Sequence, residues 1–143
     1  MTETIYSNEL ITQTGNPYFT IEAKEGENFI RATWTGFINV ERAKKGILEE
    51  IAAIQKTGIT NLLVDNRKQT GPFPKEIDQW VTEEITPKLE ALGGAKFAQI
   101  LSSNVFTEVS AKNMANNEDV NDQQAISMAN FANEEDALKW LIG

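Results

Sequence analysis

The densest group of residues able to do chemistry is Asp65-Asn66-Arg67-Lys68, which follows the apolar run Leu62-Leu63-Val64 and leads into Gly71-Pro72-Phe73-Pro74. A carboxylate, a carboxamide and two cations this close together suit polar recognition. Arg67 and Lys68, with the free amides opening a following helix, could hold a phosphate or carboxylate, although no glycine-rich phosphate loop accompanies them. The same side chains can equally serve their own backbone, with Asp65 and Asn66 satisfying turn amides and Arg67 neutralising Asp65. Phe73 lies between two prolines and is expected to be exposed, where an aromatic ring beside Arg67 would anchor a protein partner.

Other chemistries are excluded by composition. The chain has no histidine and no cysteine, so Ser-His-Asp, Cys-His, His-zinc and thiolate sites cannot be built. Adjacent carboxylates occur at Glu83-Glu84, Glu118-Asp119 and Glu134-Glu135-Asp136. Adjacency along a helix says nothing about convergence across a cleft, and such runs read as solvated faces or complements to a helix N-terminus. The stretch from Asn117 to Asp122 offers oxygen ligands but lacks the central glycine and terminal glutamate of a calcium loop. The expectation is a non-enzymatic protein with no cofactor and no metal. A net charge of -8 argues against nucleic acid and anionic membrane as partners. The polar, acidic start of the chain is unlike a signal peptide, and no apolar run reaches the roughly 20 residues of a membrane span. A cytoplasmic location is the expectation.

The elements that must position these residues follow from periodicity. At 143 residues the chain fits one domain, with residues 1–16 as a tail or edge segment and 17–143 as the domain proper. Tyr18 to Ala23 and Phe29 to Thr35 read as an antiparallel hairpin, with Ile30, Ala32 and Trp34 on one face. Asn39 caps an amphipathic helix whose stripe is Val40, Ala43, Ile47, Ile51 and Ile54, with Glu49 and Glu50 assigned to the opposite, solvated side. Gly58 ends it.

Leu62 to Val64 form a central strand buried on both faces, ending in a polar loop from Asp65. Ile77, Val81, Ile85, Leu89 and Leu92, joined by Trp80, mark a second helix that Pro87 should kink or split. Lys96 to Leu101 is a further strand, Ser102 to Asn104 cap a third helix bearing Val105, Phe106 and Val109, and residues 113–124 read as a mobile helix end and loop. Ala125 to Phe131 is a last strand, and Asn133 caps a last helix. The order β-β-α-β-α-β-α-β-α specifies an α/β fold: one mixed sheet, an opening antiparallel hairpin followed by parallel strands through helical crossovers, flanked by about four helices.

Several phrases in this order are similar to the STAS-like family, related in fold to the anti-sigma-factor antagonists, and in particular to its bacterial branch grouped with STAS and CRAL-TRIO lipid-transfer-like domains. They are Trp34-Thr35-Gly36, Leu63-Val64-Asp65-Asn66, Gly71-Pro72, and the closing Phe131, Glu135-Asp136-Ala137 and Trp140-Leu141, spanning about residues 18–142. The resemblance implies a regulatory, protein-binding role or the binding of a small apolar ligand. The antagonists carry an Asp-Ser-Ser-Gly phosphorylation motif after the central strand; this chain has Asp65-Asn66-Arg67-Lys68-Gln69-Thr70-Gly71, with no serine.

Two functional readings result. In the first, a protein-binding module uses Asp65, Asn66 and Arg67 for polar recognition and Phe73 as anchor. In the second, a carrier or sensor holds a small apolar ligand between helices and sheet near Trp80 and Phe106. The aromatics Trp34, Trp80, Trp140, Phe73, Phe97, Phe106 and Phe131 could line such a pocket or simply fill the core, Phe73 being the exception expected to be exposed. A carrier requires a cavity of ~300 Å³ or more, a partner-binding module an exposed apolar patch at Phe73. A hairpin edge also leaves a two-fold dimer open.

Overall fold

The computed structural model describes residues 3–102, 105 and 126–143. Six strands form one sheet in the order β1-β2-β3-β4-β5-β6: β1 Thr4–Ile11, β2 Pro17–Lys24, β3 Ile30–Phe37, β4 Asn61–Thr70, β5 Ala95–Ile100 and β6 Ile126–Phe131. The β1–β2 and β2–β3 pairs are antiparallel, whereas β3–β4, β4–β5 and β5–β6 are parallel. This is the mixed α/β sheet expected from the element order. The edge beyond the hairpin is taken by β1, within the first sixteen residues.

Helix α1 (Val40–Thr57) links β3 to β4. The Asn39 side chain accepts a hydrogen bond from the Arg42 amide at 2.8 Å, and Gly58 ends the helix at φ 76°, a left-handed conformation that favours glycine. Between β4 and β5 the chain runs through α2 (Ile77–Trp80), a π-helical turn (Val81–Ile85) and α3 (Thr86–Ala91). Pro87 causes this division. It has no N–H to donate and its ring crowds the preceding turn, so the chain widens just before it, with the Thr86 amide bonding to the Val81 carbonyl. Helix α4 (Glu134–Ile142) closes the described chain, its Asn133 cap accepting from the Asp136 amide at 2.8 Å.

The described residues thus contain three helical stretches rather than about four. The expected third helix and the segment 113–124 lie outside the described residues apart from Val105.

Alternation along the strands builds two cores. Ile30, Ala32 and Trp34 of β3, with Leu62 and Val64 of β4, face α1 and the helical run 77–91. Leu63 of β4, with Ala98 and Ile100 of β5, faces Ala137 and Leu141 of α4. Leu62 and Leu63 are both fully buried, as a central strand covered on both faces requires.

Two local expectations are overturned. The residues after Val64 form no loop: β4 continues to Thr70, because Thr35, Gly36 and Phe37 of β3 remain as pairing partners for Lys68, Gln69 and Thr70. The pairing passes from Thr33–Asp65 to Thr35–Lys68, so β4 carries one extra residue there, a β-bulge that re-aims the side chains around it. Glu50 does not lie on the solvated side of α1. It is buried, at 5% exposure.

Candidate functional site

Within the first candidate cluster Asp65 and Arg67 satisfy each other, while the Asn66 carboxamide oxygen is buried without a hydrogen-bond partner among the described residues. The Asp65 carboxylate accepts from the Arg67 backbone amide and Nε, both at 3.0 Å, and from Arg67 Nη2 at 2.8 Å. Burial pushes the Asp65 carboxyl up, but the hydrogen bonds and charge of Arg67 outweigh it and hold the group below its ordinary range. Asn66 donates to the Gln69 side chain at 2.7 Å. Nearby, Arg31 of β3 forms a two-pronged pair with Glu134 of α4 at 2.9 and 3.4 Å, which lowers the Glu134 carboxyl.

Asp65 therefore satisfies the Arg67 amide at the bulge, and Arg67 neutralises Asp65. Asp65→Ala, which removes the amide acceptor and the ion pair together, is expected to cost about 1–2 kcal/mol in urea unfolding. With the Arg67 side chain 46% exposed, Arg67→Ala is expected to cost less than about 1 kcal/mol in the same urea unfolding experiment.

Phe73 corrects the expected exposed anchor. Its ring meets Trp34 edge-on, centroids 5.0 Å apart and planes at 88°, and it packs against the main core. The ring is partly buried against the core, so it is not the fully exposed side chain expected from its place between two prolines. Trp80 is half-buried beneath Lys44, whose Nζ lies 5.4 Å from the ring centroid, and takes no part in the cavity wall described next. Phe106 lies outside the described residues.

The inner face of Phe73 borders a cavity of about 420 Å³ between α1, the helical run 77–91 and the sheet. Ile77, Val81, Ile85 and Leu89 form one wall, each four residues from the last along the run, with Asp78 and Thr82 on the adjoining stripe. The sheet supplies Trp34, Val64, Phe97, Gln99, Ile126 and Met128, and α1 supplies Ile47 and Glu50. Most of the wall is aliphatic or aromatic, with a few convergent polar groups, the composition typical of a small-molecule site. A depression of about 480 Å³ on the opposite side is larger but of another kind. It lies over β1–β3 and is lined by Ser7, Asn8, Glu9, Thr20, Ile21, Glu22, Arg31 and Thr33, polar side chains apart from Ile21.

Glu50 is the residue that sequence reasoning missed. Burial raises its carboxyl from 4.5 to about 8, against a downward pull from the neighbouring Trp34 side chain. Trp34 fits beneath α1 because position 46 is glycine; a Cβ there would stand 2.1 Å from Cη2 of the indole. The cavity rim thus has a fixed order: Gly46 admits the indole, and the indole meets Glu50 on one side and Phe73 on the other. Sequence spacing carries a trace of this, since Gly46 and Glu50 are one helical turn apart and a glycine inside a helix often marks a close approach.

No family model matches the sequence, and no curated protein is similar to it in sequence. Among solved structures the chain is similar to an uncharacterised protein of the DUF3478 family with a SpoIIAA-like fold from Shewanella loihica PV-4. The match has a TM-score of 0.51 and 16% identity, and covers 86% of this chain and 91% of that one. At that identity the likeness establishes the fold: SpoIIAA-like, the STAS-like architecture that the sequence resembles.

Proposed function

We propose that this protein is a non-enzymatic binding module whose cavity between α1, the helical run 77–91 and the sheet takes up a small apolar ligand. The supporting observation is the cavity itself. At about 420 Å³ it exceeds the ~300 Å³ at the lower end of small-molecule sites, and its wall is predominantly apolar. The alternative, a protein-binding face anchored by Phe73, is less favoured because that ring is partly buried against Trp34. Its polar component is weakened too, since Arg67 is engaged by Asp65.

Filling the cavity tests the reading. The whole protein, stripped by organic extraction, is titrated with the neutral apolar fluorophore N-phenyl-1-naphthylamine. The wild type is expected to give a saturable fluorescence rise. Val81→Trp places an indole in the wall and is expected to abolish that rise, while circular dichroism remains that of a folded chain. Native mass spectrometry of protein from its own host should show a mass adduct that extracts into organic solvent. A clean apo mass together with no uptake of the fluorophore would refute the proposal.

A further inference from the structure

We propose that the ligand is an apolar amine whose ammonium group pairs with the Glu50 carboxylate inside the cavity. The inference rests on reading the cavity as a ligand site and adds the chemical class of the ligand.

Charge is the first argument. Among the described residues, the charged side chains lining the cavity are Glu50 of α1 and Asp78 of the helical run, both acidic. The facing strands contribute Trp34, Val64, Phe97, Gln99, Ile126 and Met128, none of them charged. Lys44 is held over Trp80, outside the wall, and Glu49, beside Glu50 in sequence, accepts from the Tyr6 hydroxyl at 3.0 Å. A fatty acid or phosphate would meet Asp78 and a carboxyl whose ionisation it opposes, whereas an ammonium pairs with the Glu50 carboxylate and supplies a cation that the described lining residues lack.

Geometry is the second argument. A carboxyl at a buried helix position is a costly choice where an aliphatic side chain would pack, and its neighbours on the same face are Ala43, Gly46, Ala53 and Ile54. The indole next to it offers an aromatic surface, and Phe73 lies edge-on to that indole. A carboxylate beside aromatic rings in an apolar wall suits an alkylammonium, through charge-assisted hydrogen bonding and cation–π attraction together.

Proton balance makes the proposal measurable. The free carboxyl is held protonated up to about pH 8. Below that, an incoming ammonium keeps its proton and the Glu50 proton goes to solvent, so each bound amine releases one proton. Affinity then rises with pH by up to about tenfold per unit and levels off once Glu50 is ionised in the free protein.

The test uses the whole protein and three probes sharing one tail: octylamine, octan-1-ol and octanoate, titrated by calorimetry at pH 8. Octylamine is expected to bind at least about tenfold tighter than the alcohol, and octanoate more weakly than both. Between pH 6 and 8 the amine should tighten while the alcohol stays constant. In Glu50→Gln the amine should fall to the affinity of the alcohol and lose its pH dependence, with alcohol binding retained. Octanoate binding as tightly as octylamine, or an amine preference that survives Glu50→Gln, would overturn the assignment to Glu50 while leaving the cavity as a ligand site. Asp78→Asn abolishing the preference in its place would overturn it in the same way. Binding of none of the three probes would remove both the amine and the cavity reading.

Discussion

Between about pH 4.5 and 8 the protein is expected to lose stability as pH rises, by somewhat more than 1 kcal/mol per unit at the steepest point, and Glu50→Gln is expected to flatten that slope. The sign follows from proton counting. Burial raises the folded-state carboxyl to about 8 from its ordinary 4.5, so through this window the folded chain holds a proton that the unfolded chain has released. The contribution of Glu50 is fully present below the lower value and is lost as pH climbs through the upper one. Over the whole window the loss is on the order of 5 kcal/mol, a large share of the stability of a small domain.

Few other groups can imitate the effect. The chain has no histidine or cysteine to titrate there. Asp65 and Glu134 are shifted downward, so their stabilisation is lost on acidification, outside this range. Tyr6 is raised to about 12, far above it. Urea unfolding at half-unit pH intervals reads the slope directly. The variant should be the more stable protein at pH 8, with the difference closing toward pH 5. Parallel profiles for wild type and Glu50→Gln would show that the carboxyl is not held neutral by burial.

Glu50 also shows where sequence ceased to be sufficient. The alternating strands, the caps at Asn39 and Asn133 and the division at Pro87 depend on contacts local in sequence, and each was legible from residue type and spacing. The cavity wall was half legible, since Ile77, Val81, Ile85 and Leu89 stand out as a stripe whether they meet a packed core or a space. The side of α1 taken by Glu50 was not, because a charged residue next to an apolar stripe is ordinarily solvated, and here the buried face is rotated to include Gly46 and Glu50.

Phe73 and the strand continuation past Asp65 were missed for a related reason. Both depend on distant partners, the Trp34 ring for one and the end of β3 for the other, which no window around residues 65–74 contains. The polar run Asp65–Lys68 drew attention by composition, yet the bulge and the Asp65–Arg67 pair account for most of its chemistry. Trp80, expected to border an apolar pocket, does not line the cavity. Trp80 projects toward Lys44, while its neighbours Ile77 and Val81 line the space.

Gly46→Ala is expected to destabilise the protein by about 1–3 kcal/mol, although alanine is the better helix former by about 1 kcal/mol. A Cβ at position 46 would stand 2.1, 2.7 and 2.9 Å from Cη2, Cζ3 and Cζ2 of Trp34, so one of the two partners must move. The indole is only 1% exposed and is braced by Phe19 at 4.5 Å and Phe73 at 5.0 Å. Open space adjoins it on the cavity side, and displacement in that direction takes up cavity volume and draws the indole away from Glu50. The variant should therefore unfold at lower urea and take up less N-phenyl-1-naphthylamine, two losses with one steric origin. A double-mutant cycle isolates that origin. In a Trp34→Phe background the smaller ring leaves room for the methyl group, so Gly46→Ala should become neutral or stabilising through helix propensity alone. If Gly46→Ala costs the same stability in both backgrounds, the close approach of Trp34 is not what keeps glycine at this position.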